Sequence, residues 1–469
     1  MRNREHETIV FSSKSILADP HALQTLALIV IHQSIIAASA LFLTLVVENF
    51  QQGRPYLRDL FFYFLAMTAP FIPGCLSFLT LTKWQNRIHK KYISEAREII
   101  GNRIDLHKNN SFKNEFTGVI SRNSFATISL VCSYLHNSAT FFLNSLLSIL
   151  VIGFILPPHL SLGYIISAAI SIVAIFVVSP VISRKTVALE NSNISYGGDL
   201  SKIWANLTIG NSYNKKLWEE AIKHSGEDYY QKSKNLSLIK QANNFLLGMI
   251  ALLPTMYLIY EAARSPSIPA AVVAAIIVNL TRIIHILNSF GALIYQAVDL
   301  KSVFSRVEVL RSILKKLEDE AKTLPFQANG IVMVNGAQIG HFGQMIDIID
   351  KTPVGRYTVT GENGAGKSTL LAYLKDKYGE RCLLLPAHAS ELTWETAEGK
   401  ASTGQTLLSI VNEIVVNSAA EILLLDEWDA NLDVQNKRTI NARLDLVAQK
   451  RIVVEVRHGE LALAAQVHQ

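Results

Sequence analysis

The chain is poor in cysteine and lacks repeats, low-complexity tracts and a compact basic face. Three cysteines occur in 469 residues, Cys75, Cys132 and Cys382, and their wide separation argues against a disulfide framework or a metal site. No face combines clustered Lys and Arg with interleaved aromatic residues, so nucleic-acid binding is not expected. No small-residue cleavage site follows the first apolar segment, which we therefore interpret as a retained helix rather than a signal peptide.

Long apolar runs dominate the first 300 residues. The chain is 49% hydrophobic and its mean hydropathy is +0.25. Six windows are long enough to cross roughly 30 Å of hydrocarbon as helices. They are residues 23–46, 60–81, 138–156, 162–183, 243–261 and 269–298. Six such windows in succession, separated by polar stretches, predict membrane spans rather than buried helices of a soluble domain.

The charges between these windows predict an orientation in the membrane. Residues 83–125 and 184–240 carry nine Lys and Arg each, whereas 47–59, 157–161 and 262–268 together carry three. The positive-inside rule then places the two long polar segments and both termini in the cytoplasm. The net charge of +6 suits contact with anionic membrane lipid.

A phosphate-binding loop follows the apolar half. Residues 361–369 read Gly-Glu-Asn-Gly-Ala-Gly-Lys-Ser-Thr, between a strand-like run and a helix-like run. The glycines allow backbone amides to point at phosphate oxygens, and the helix beginning at Lys367 adds its positive end. Lys367 would reach the terminal phosphates of ATP, and Ser368 would ligate Mg²⁺. The predicted nucleotide-binding residues are Gly361, Glu362, Asn363, Gly364, Ala365, Gly366, Lys367, Ser368 and Thr369.

A second motif lies downstream. Glu421–Glu427 is an apolar strand-like run that ends in two carboxylates. Asp426 would hold Mg²⁺, and Glu427 would polarise the water that attacks the terminal phosphate. A core strand with a solvated acidic end has the same pattern, but the upstream phosphate loop favours a nucleotide site.

Together these motifs resemble the ABC transporter family. Ala430–Asp433 resembles the D-loop that follows the Walker B carboxylates, and Arg451–His458 resembles the last strand with its switch histidine. Ala401–Gln405 (Ala-Ser-Thr-Gly-Gln) is similar to the LSGGQ signature, with matches at Ser402, Gly404 and Gln405. The resemblance implies that Glu427, His458 and Lys367 are catalytic. It also implies that the nucleotide contacts Ser402, Gly404, Gln405, Asp433 and an adenine-stacking aromatic residue, Phe342 or else His341.

The resemblance also extends to the domain layout, which is that of a type I exporter half-transporter. We expect a membrane all-α six-helix transporter domain plus a C-terminal α/β P-loop ATPase cassette. Residues 1–22 would form a cytoplasmic segment, 23–324 the six spans with their loops, and 325–469 the cassette. Because the signature of one cassette completes the ATP site of another in this family, the resemblance implies a homodimer. The coupling segments are expected at Arg122–Ala126 and Ile203–Leu217.

The cassette departs from the family pattern in one interval. Only residues 370–400 separate the phosphate loop from the signature, which leaves room for no more than a remnant of the helical subdomain. Ala387 or His388 stands where the family carries the glutamine of its glutamine loop. That glutamine relays nucleotide state, so the departure affects coupling more than ATP binding.

Polar residues within the predicted spans suggest a substrate cavity. Asn279, Arg282, His285 and Ser289 recur along one side of the sixth window. An arginine near the middle of a membrane costs about 2.5–3.5 kcal/mol, so Arg282 is expected to face water or a partner. His32, Gln33, His136, Asn137 and Asn144 would extend this lining. The alternative is that Arg282 pairs with a structural carboxylate or reaches the interface.

The sequence thus predicts an ATP-driven exporter of the bacterial inner membrane with ATP and Mg²⁺ as cofactors. A cavity with arginine and histidine but little acid favours a peptide as cargo, with lipid-linked or small amphiphilic cargo next. The competing hypothesis is a membrane-anchored ATPase that acts as a sensor or regulator without transport.

Overall fold

The structure, a computed structural model, describes residues 11–318 and 330–457 except 102, 156–157, 390–391, 396–402, 431 and most of 265–302. The chain divides into two compact units. The helical unit comprises Met1–Glu95 and Gly118–Ile313, and the sheet unit comprises Ala96–Thr117 and Leu314–Gln469. The sheet unit therefore contains part of the first long polar segment as well as the predicted cassette.

Helices of very different lengths make up the N-terminal part of the chain. They are α1 (Ser13–Leu17), α2 (Pro20–Gln51), α3 (Leu57–Thr68), α4 (Phe71–Ile100), α5 (Asn110–Gly118), α6 (Ser124–Ile155), α7 (Pro158–Leu200), α8 (Ile203–Thr208) and α9 (Ser212–Arg264). A 3₁₀ turn, Ile104–Lys108, precedes α5, and a π-helical turn, Val119–Asn123, follows it. Residues 303–318 form a further helix.

Local chemistry fixes where α2 begins. Asp19 caps the helix by accepting the backbone N–H of His21 at 3.0 Å, and Pro20 occupies the first helical position, where a missing N–H has no cost. The Asp19 carboxylate is buried and pairs with Lys91 at 2.9 Å and Arg87 at 3.1 Å. Two cations on α4 thus compensate the buried charge.

Two helical stretches in the described part are long and apolar enough to cross a membrane. They are Pro20–Gln51 and Leu57–Ile100, the second formed by α3 and α4. They contain the predicted windows 23–46 and 60–81. The window 138–156 falls on α6, which ends at residue 155. The windows 162–183 and 243–261 fall wholly on α7 and α9. The window 269–298 lies mostly outside the described residues, and six spans stay a prediction.

Helices α7 and α9 are much longer than a membrane is thick. The 53 residues of α9 span about 80 Å at 1.5 Å per residue, against roughly 30 Å of hydrocarbon. Outside the predicted windows the two helices are joined by polar contacts, including Trp218 Nε1 to the Asp199 carbonyl at 2.9 Å and Tyr196 to Tyr230 at 2.8 Å. Hydrogen bonds between polar groups thus join α7 and α9 beyond the predicted windows.

The sheet unit is built on a mixed six-stranded sheet in the order β2-β1-β3-β6-β5-β4. Its strands are β1 (Val332–Val334), β2 (Ala337–Ile339), β3 (Gly355–Gly361), β4 (Cys382–Leu385), β5 (Ile422–Leu425) and β6 (Ile452–Val456). The last four are mutually parallel, and β1 pairs antiparallel with β2 and β3. The helices of this unit are α10 (Gly343–Lys351), α11 (Lys367–Tyr378), α12 (Thr403–Asn417) and α13 (Val434–Ala448).

Strand periodicity divides the core of this unit into two layers. Ile422 and Leu424 of β5 pack on one face with α10 and α11, whereas Leu423 and Leu425 pack on the other with α12 and α13. Successive strand residues point to opposite faces, so a strand covered on both sides is apolar throughout. The predicted α/β character of residues 325–469 agrees with this arrangement.

Candidate nucleotide site

The phosphate loop joins β3 to α11 and uses glycine where the backbone requires it. Gly361, Gly364 and Gly366 have φ values of +156°, +82° and +108°, a region that side chains disfavour. At Gly361 a Cβ would lie 2.6 Å from the Ile331 carbonyl oxygen. Gly366 then caps α11, so the first amides of this helix open toward the loop.

The loop lysine is held inside the loop. Lys367 is 6% exposed, and its ammonium group donates to the carbonyls of Gly361 at 2.9 Å and Glu362 at 3.1 Å. The positive charge is therefore positioned within the ring of loop amides. A terminal phosphate placed there would attract both the ammonium group and the helix N-terminus.

The second motif meets the first across the sheet. Ser368 lies in the first turn of the helix after β3, and Asp426 follows β5, with β6 between the two strands. The Ser368 hydroxyl donates to Asp426 Oδ1 at 3.0 Å. A hydroxyl and a carboxylate at this separation provide the hard oxygen ligands that Mg²⁺ takes together with nucleotide phosphates. The predicted metal ligands are therefore adjacent.

Glu427 occupies an unfavourable backbone conformation. Its φ is +46°, a region that costs a non-glycine residue of order 1–3 kcal/mol and that clusters at functional sites. Its side chain is half-buried, and the next residues, Trp428 and Asp429, are buried. Burial raises the pKa of Asp429. The buried residues Trp428 and Asp429 thus anchor the chain directly after Glu427.

The described part of the signature lies against the segment that follows the predicted D-loop. Gly404 is on α12, where a Cβ would come within 2.3 Å of Asn436 Nδ2. Asp433 caps α13 by accepting the Asn436 backbone N–H at 2.8 Å, and this hydrogen bond lowers the pKa of Asp433. Gln405 is exposed, while Ser402 lies outside the described residues.

The two candidate adenine-stacking residues differ in their exposure. Phe342 is 5% exposed and belongs to the α10–α11 core, 5.8 Å from the Tyr373 ring. That burial leaves its ring unavailable for stacking on adenine, whereas His341 is exposed. His458 lies outside the described residues, directly after Arg457.

The predicted cavity is described only in part. Asn279, Arg282 and His285 lie outside the described residues. Ser289 accepts a hydrogen bond from Asn144 Nδ2 at 2.7 Å, which joins two residues predicted to share the lining. In contrast, Gln33 and His136 are 3% and 4% exposed, so they pack between helices of the helical unit.

Residues 96–117 of the first polar segment belong to the sheet unit and pack within it. Its 3₁₀ turn Ile104–Lys108 packs on α11, and Arg103 Nη1 donates to the Leu317 carbonyl at 2.9 Å. A cavity of about 440 Å³ lies beside them, lined in part by Phe112 and Phe116. The predicted segment Arg122–Ala126 belongs to the helical unit instead. In the sequence, two phenylalanines one helical turn apart on the polar helix α5 were the feature that indicated packing at this point.

The second predicted coupling segment contains α8 and exposes large apolar side chains. Trp204 is 78% exposed and Ile209 is 85% exposed. Such side chains suit a contact with another surface, and their coupling role stays a prediction.

Sequence reasoning missed one buried charged cluster beside the site. Glu455, in the middle of β6, is 1% exposed. Arg356 Nε and Nη2 donate to its two oxygens at 3.1 and 2.9 Å, and Trp428 Nε1 donates at 3.0 Å. A single glutamate within the apolar run 452–456 was the visible sequence signal.

The comparisons with known proteins establish the fold. No protein-family model matches this chain, and no curated protein matches its sequence. Among solved structures, it is similar to a bacterial Atm1-family ABC exporter with ATP bound, with a TM-score of 0.58 and 14% identity. The match covers 95% of this chain and 91% of that chain. The chain therefore has an ABC exporter fold, and its activity is argued from its site residues.

Proposed function

We propose that this protein is a membrane-embedded ABC exporter that hydrolyses ATP to move cargo out of the cytoplasm. The observation that carries this proposal is the 3.0 Å hydrogen bond from the Ser368 hydroxyl to Asp426. Ser368 directly follows Lys367, which the phosphate loop holds in place. A glycine-rich turn that merely caps a helix does not require a carboxylate from another strand at the same point. The fold supports coupling of this site to a helical membrane domain.

The proposed reaction is transfer of the terminal phosphoryl group of ATP to water, which gives ADP and phosphate. The loop amides from Gly361 to Ser368 bind the phosphates, and Lys367 exchanges its carbonyl partners for phosphate oxygens. Ser368 and Asp426 would hold Mg²⁺, which would neutralise charge on the phosphates. Glu427 accepts the proton of the attacking water.

The family resemblance supplies the remaining parts of the proposed site. His458 senses the terminal phosphate, and the signature of a second, identical chain closes over the nucleotide. Gly404, Gln405 and Asp433 would face that partner. His341 is the exposed candidate for contact with adenine, since Phe342 is buried.

The proposed location is the bacterial inner membrane, with both termini in the cytoplasm. The two apolar helical stretches and the distribution of Lys and Arg support this arrangement. A peptide is the favoured cargo because the predicted lining around Arg282 and His285 carries basic and polar groups and little acid. Lipid-linked or small amphiphilic cargo is the second choice.

One observation favours a regulator that does not transport. Residues 387 and 388, which follow β4 at the edge where the nucleotide would bind, are alanine and an exposed histidine. The glutamine that relays nucleotide state in the family is therefore replaced. The glutamate at position 427 favours the pump, because a purely binding cassette has no need of a catalytic carboxylate.

ATPase assays in lipid vesicles distinguish the pump from the regulator. We expect Mg²⁺-dependent ATP hydrolysis that rises when a candidate peptide is added, with the peptide accumulating in inside-out vesicles. If a lipid-linked or small amphiphilic compound stimulates ATP hydrolysis and the peptide does not, this second class of cargo replaces the peptide in the proposal. ATP hydrolysis that no cargo changes, with no accumulation, would favour the regulator.

Cysteine labelling tests the predicted cavity. Cysteines placed singly at Arg282 and His285, in a protein with exposed Cys75 replaced by serine, should react with a polar thiol reagent applied from the cytoplasmic side. ATP with vanadate should reduce that reaction because closing the cassettes withdraws the cavity from the cytoplasm. Equal labelling with and without trapped nucleotide would contradict alternating access.

A further inference from the structure

The buried Glu455 cluster joins three parts of the sheet unit to one carboxylate. Its partners come from β3, from the turn after β5 and from the end of β6. Glu455 accepts hydrogen bonds from Arg356, from the Thr358 hydroxyl at 3.2 Å and from Trp428 Nε1 at 3.0 Å. Arg457 also pairs with this carboxylate, since its Nη2 donates to Oε2 at 3.3 Å and its Nε lies 3.0 Å from Oε1.

The position of this carboxylate is not explained by core packing. Val453 and Glu455 point to the face of β6 covered by α12 and α13, while Val454 and Val456 point to the other. An apolar side chain at 455 would continue the core, since buried ion pairs are often no more stabilising than hydrophobic replacements. The cluster is therefore better explained by the groups that it holds in place.

Those groups adjoin the proposed catalytic residues. Arg356 and Thr358 belong to the strand that leads into the phosphate loop. Trp428 directly follows Glu427, whose φ of +46° needs support from its neighbours. The Trp428 ring is 6% exposed, and the Arg457 guanidinium lies 5.4 Å from its centre. Arg457 in turn directly precedes His458.

We propose that Glu455 is a positioning residue for ATP hydrolysis, acting through the Trp428 indole. The hydrogen bond from Trp428 Nε1 fixes the indole, and the fixed indole holds the adjoining Glu427 backbone so that its carboxylate reaches the attacking water. Arg356 and Arg457 pair with the Glu455 carboxylate and orient it. This inference rests on the proposed ATPase function and adds two residues to which the sequence motifs assign no role.

Trp428→Phe tests the inference with a small change. Phenylalanine keeps an aromatic ring in the core but cannot donate to Glu455. We expect kcat for ATP to fall about ten- to a hundredfold, the cost of misplacing a catalytic group by about 1 Å. KM for ATP and binding of a fluorescent ATP analogue should stay within about twofold, because the phosphate loop is unchanged.

Trp394→Phe is the matched control. Trp394 packs against the same core layer, and its Nε1 also donates one hydrogen bond, to the Ala389 carbonyl at 2.8 Å. Its loss should leave kcat within about twofold of the parent. Melting temperatures of both variants separate a folding defect from a positioning defect.

Glu455 itself provides a rescue test. Glu455→Gln keeps an oxygen that accepts the Trp428 N–H, whereas Glu455→Leu removes it, so the glutamine variant should retain the higher kcat. In a Glu427→Gln background, Trp428→Phe should change the residual rate by less than about twofold, because residues that act as one unit are non-additive.

The outcomes separate this inference from the proposed function. A parent protein that hydrolyses no ATP overturns the proposed function itself. An active parent with parental kcat in Trp428→Phe overturns the positioning role. A loss of kcat that is matched by equal losses in ATP binding and melting temperature also overturns it, because that pattern indicates a structural role.

Discussion

Lys367→Ala is expected to reduce ATP hydrolysis to background while the protein stays folded in the membrane. Alanine removes the ammonium group that would neutralise the terminal phosphates, and loss of a single such electrostatic contact costs on the order of 10²–10³-fold in rate. The structure adds a second consequence, because Lys367 also satisfies the Gly361 and Glu362 carbonyls. Its removal should lower the free energy of unfolding by about 1–3 kcal/mol.

A second lysine on the same helix provides the control for this experiment. Lys375 donates to the Gly379 and Cys382 carbonyls at 2.8 and 2.6 Å, so it also satisfies two carbonyls, but at the opposite end of α11. Lys375→Ala should lower stability comparably and retain ATP binding and hydrolysis. Hydrolysis at the parental rate in Lys367→Ala would show that the phosphate-loop assignment is wrong.

The geometry of the candidate nucleotide site was predictable because its parts are local in sequence. A phosphate loop needs glycines at fixed offsets, a preceding strand and a following helix, and all of these lie between residues 355 and 378. The contact of Ser368 with Asp426 could be anticipated as well, since the carboxyl ends of parallel strands share one edge of a sheet. The order of the strands, with β6 between β3 and β5, follows from long-range pairing that the sequence does not display.

The cluster around Glu455 escaped prediction for a physical reason. Its members lie on three strands or turns separated by up to about a hundred residues, and only the folded sheet brings them together. In the sequence, Arg356 is one more charge near a strand and Trp428 is one more apolar residue after the Walker B motif. A buried glutamate within an apolar strand requires partners, so its presence could have been flagged, though not the identity of the partners.

One contact of the first polar segment was not predicted. The family resemblance placed the expected coupling segment at Arg122–Ala126, and its coupling role stays a prediction. Within the sheet unit, Arg103 donates to the Leu317 carbonyl and the turn Ile104–Lys108 packs on α11. Phe112 and Phe116 lie one turn apart on an otherwise polar helix, so their spacing predicts an apolar face that packs against another element. This periodicity indicates the observed packing better than the family resemblance does.

The shortened interval before the signature bears on coupling. Residues 386–402 connect β4 to α12, and the described part of this connection contains no glutamine. Within the sheet unit, Ile104–Lys108 packs on α11, and α11 begins at Lys367 in the candidate nucleotide site.

Glu427→Gln is expected to abolish steady-state ATP hydrolysis and to leave the cassettes closed on ATP. Glutamine has the same shape and can adopt the same backbone conformation, but it cannot accept the proton of the attacking water. General-base catalysis is typically worth 10²–10⁴-fold, so turnover should fall by about that factor. Magnesium binding through Ser368 and Asp426 should persist, because neither side chain changes.

Crosslinking measures the closed state directly. Val434 is 66% exposed and follows the predicted D-loop, so Val434→Cys provides a reporter at the expected interface of the dimer. Cys382 should not interfere, because burial raises the pKa of its thiol to about 12, and Cys75 is replaced by serine. With ATP, crosslinked dimer should accumulate in Glu427→Gln and decay in the parent as nucleotide is consumed.

Glu421→Gln controls for the loss of a carboxylate in the same strand region. Glu421 is exposed and pairs with Arg381 at 2.6 Å, and an exposed pair contributes little to stability, so this variant should turn over ATP and release its crosslink like the parent. Glu427→Gln with unchanged turnover would remove Glu427 from the catalytic role. If turnover is lost but no ATP-dependent crosslink forms, Glu427 keeps its catalytic role and the closed homodimer is contradicted. Hydrolysis would then depend on Glu427 without closure around a second identical cassette.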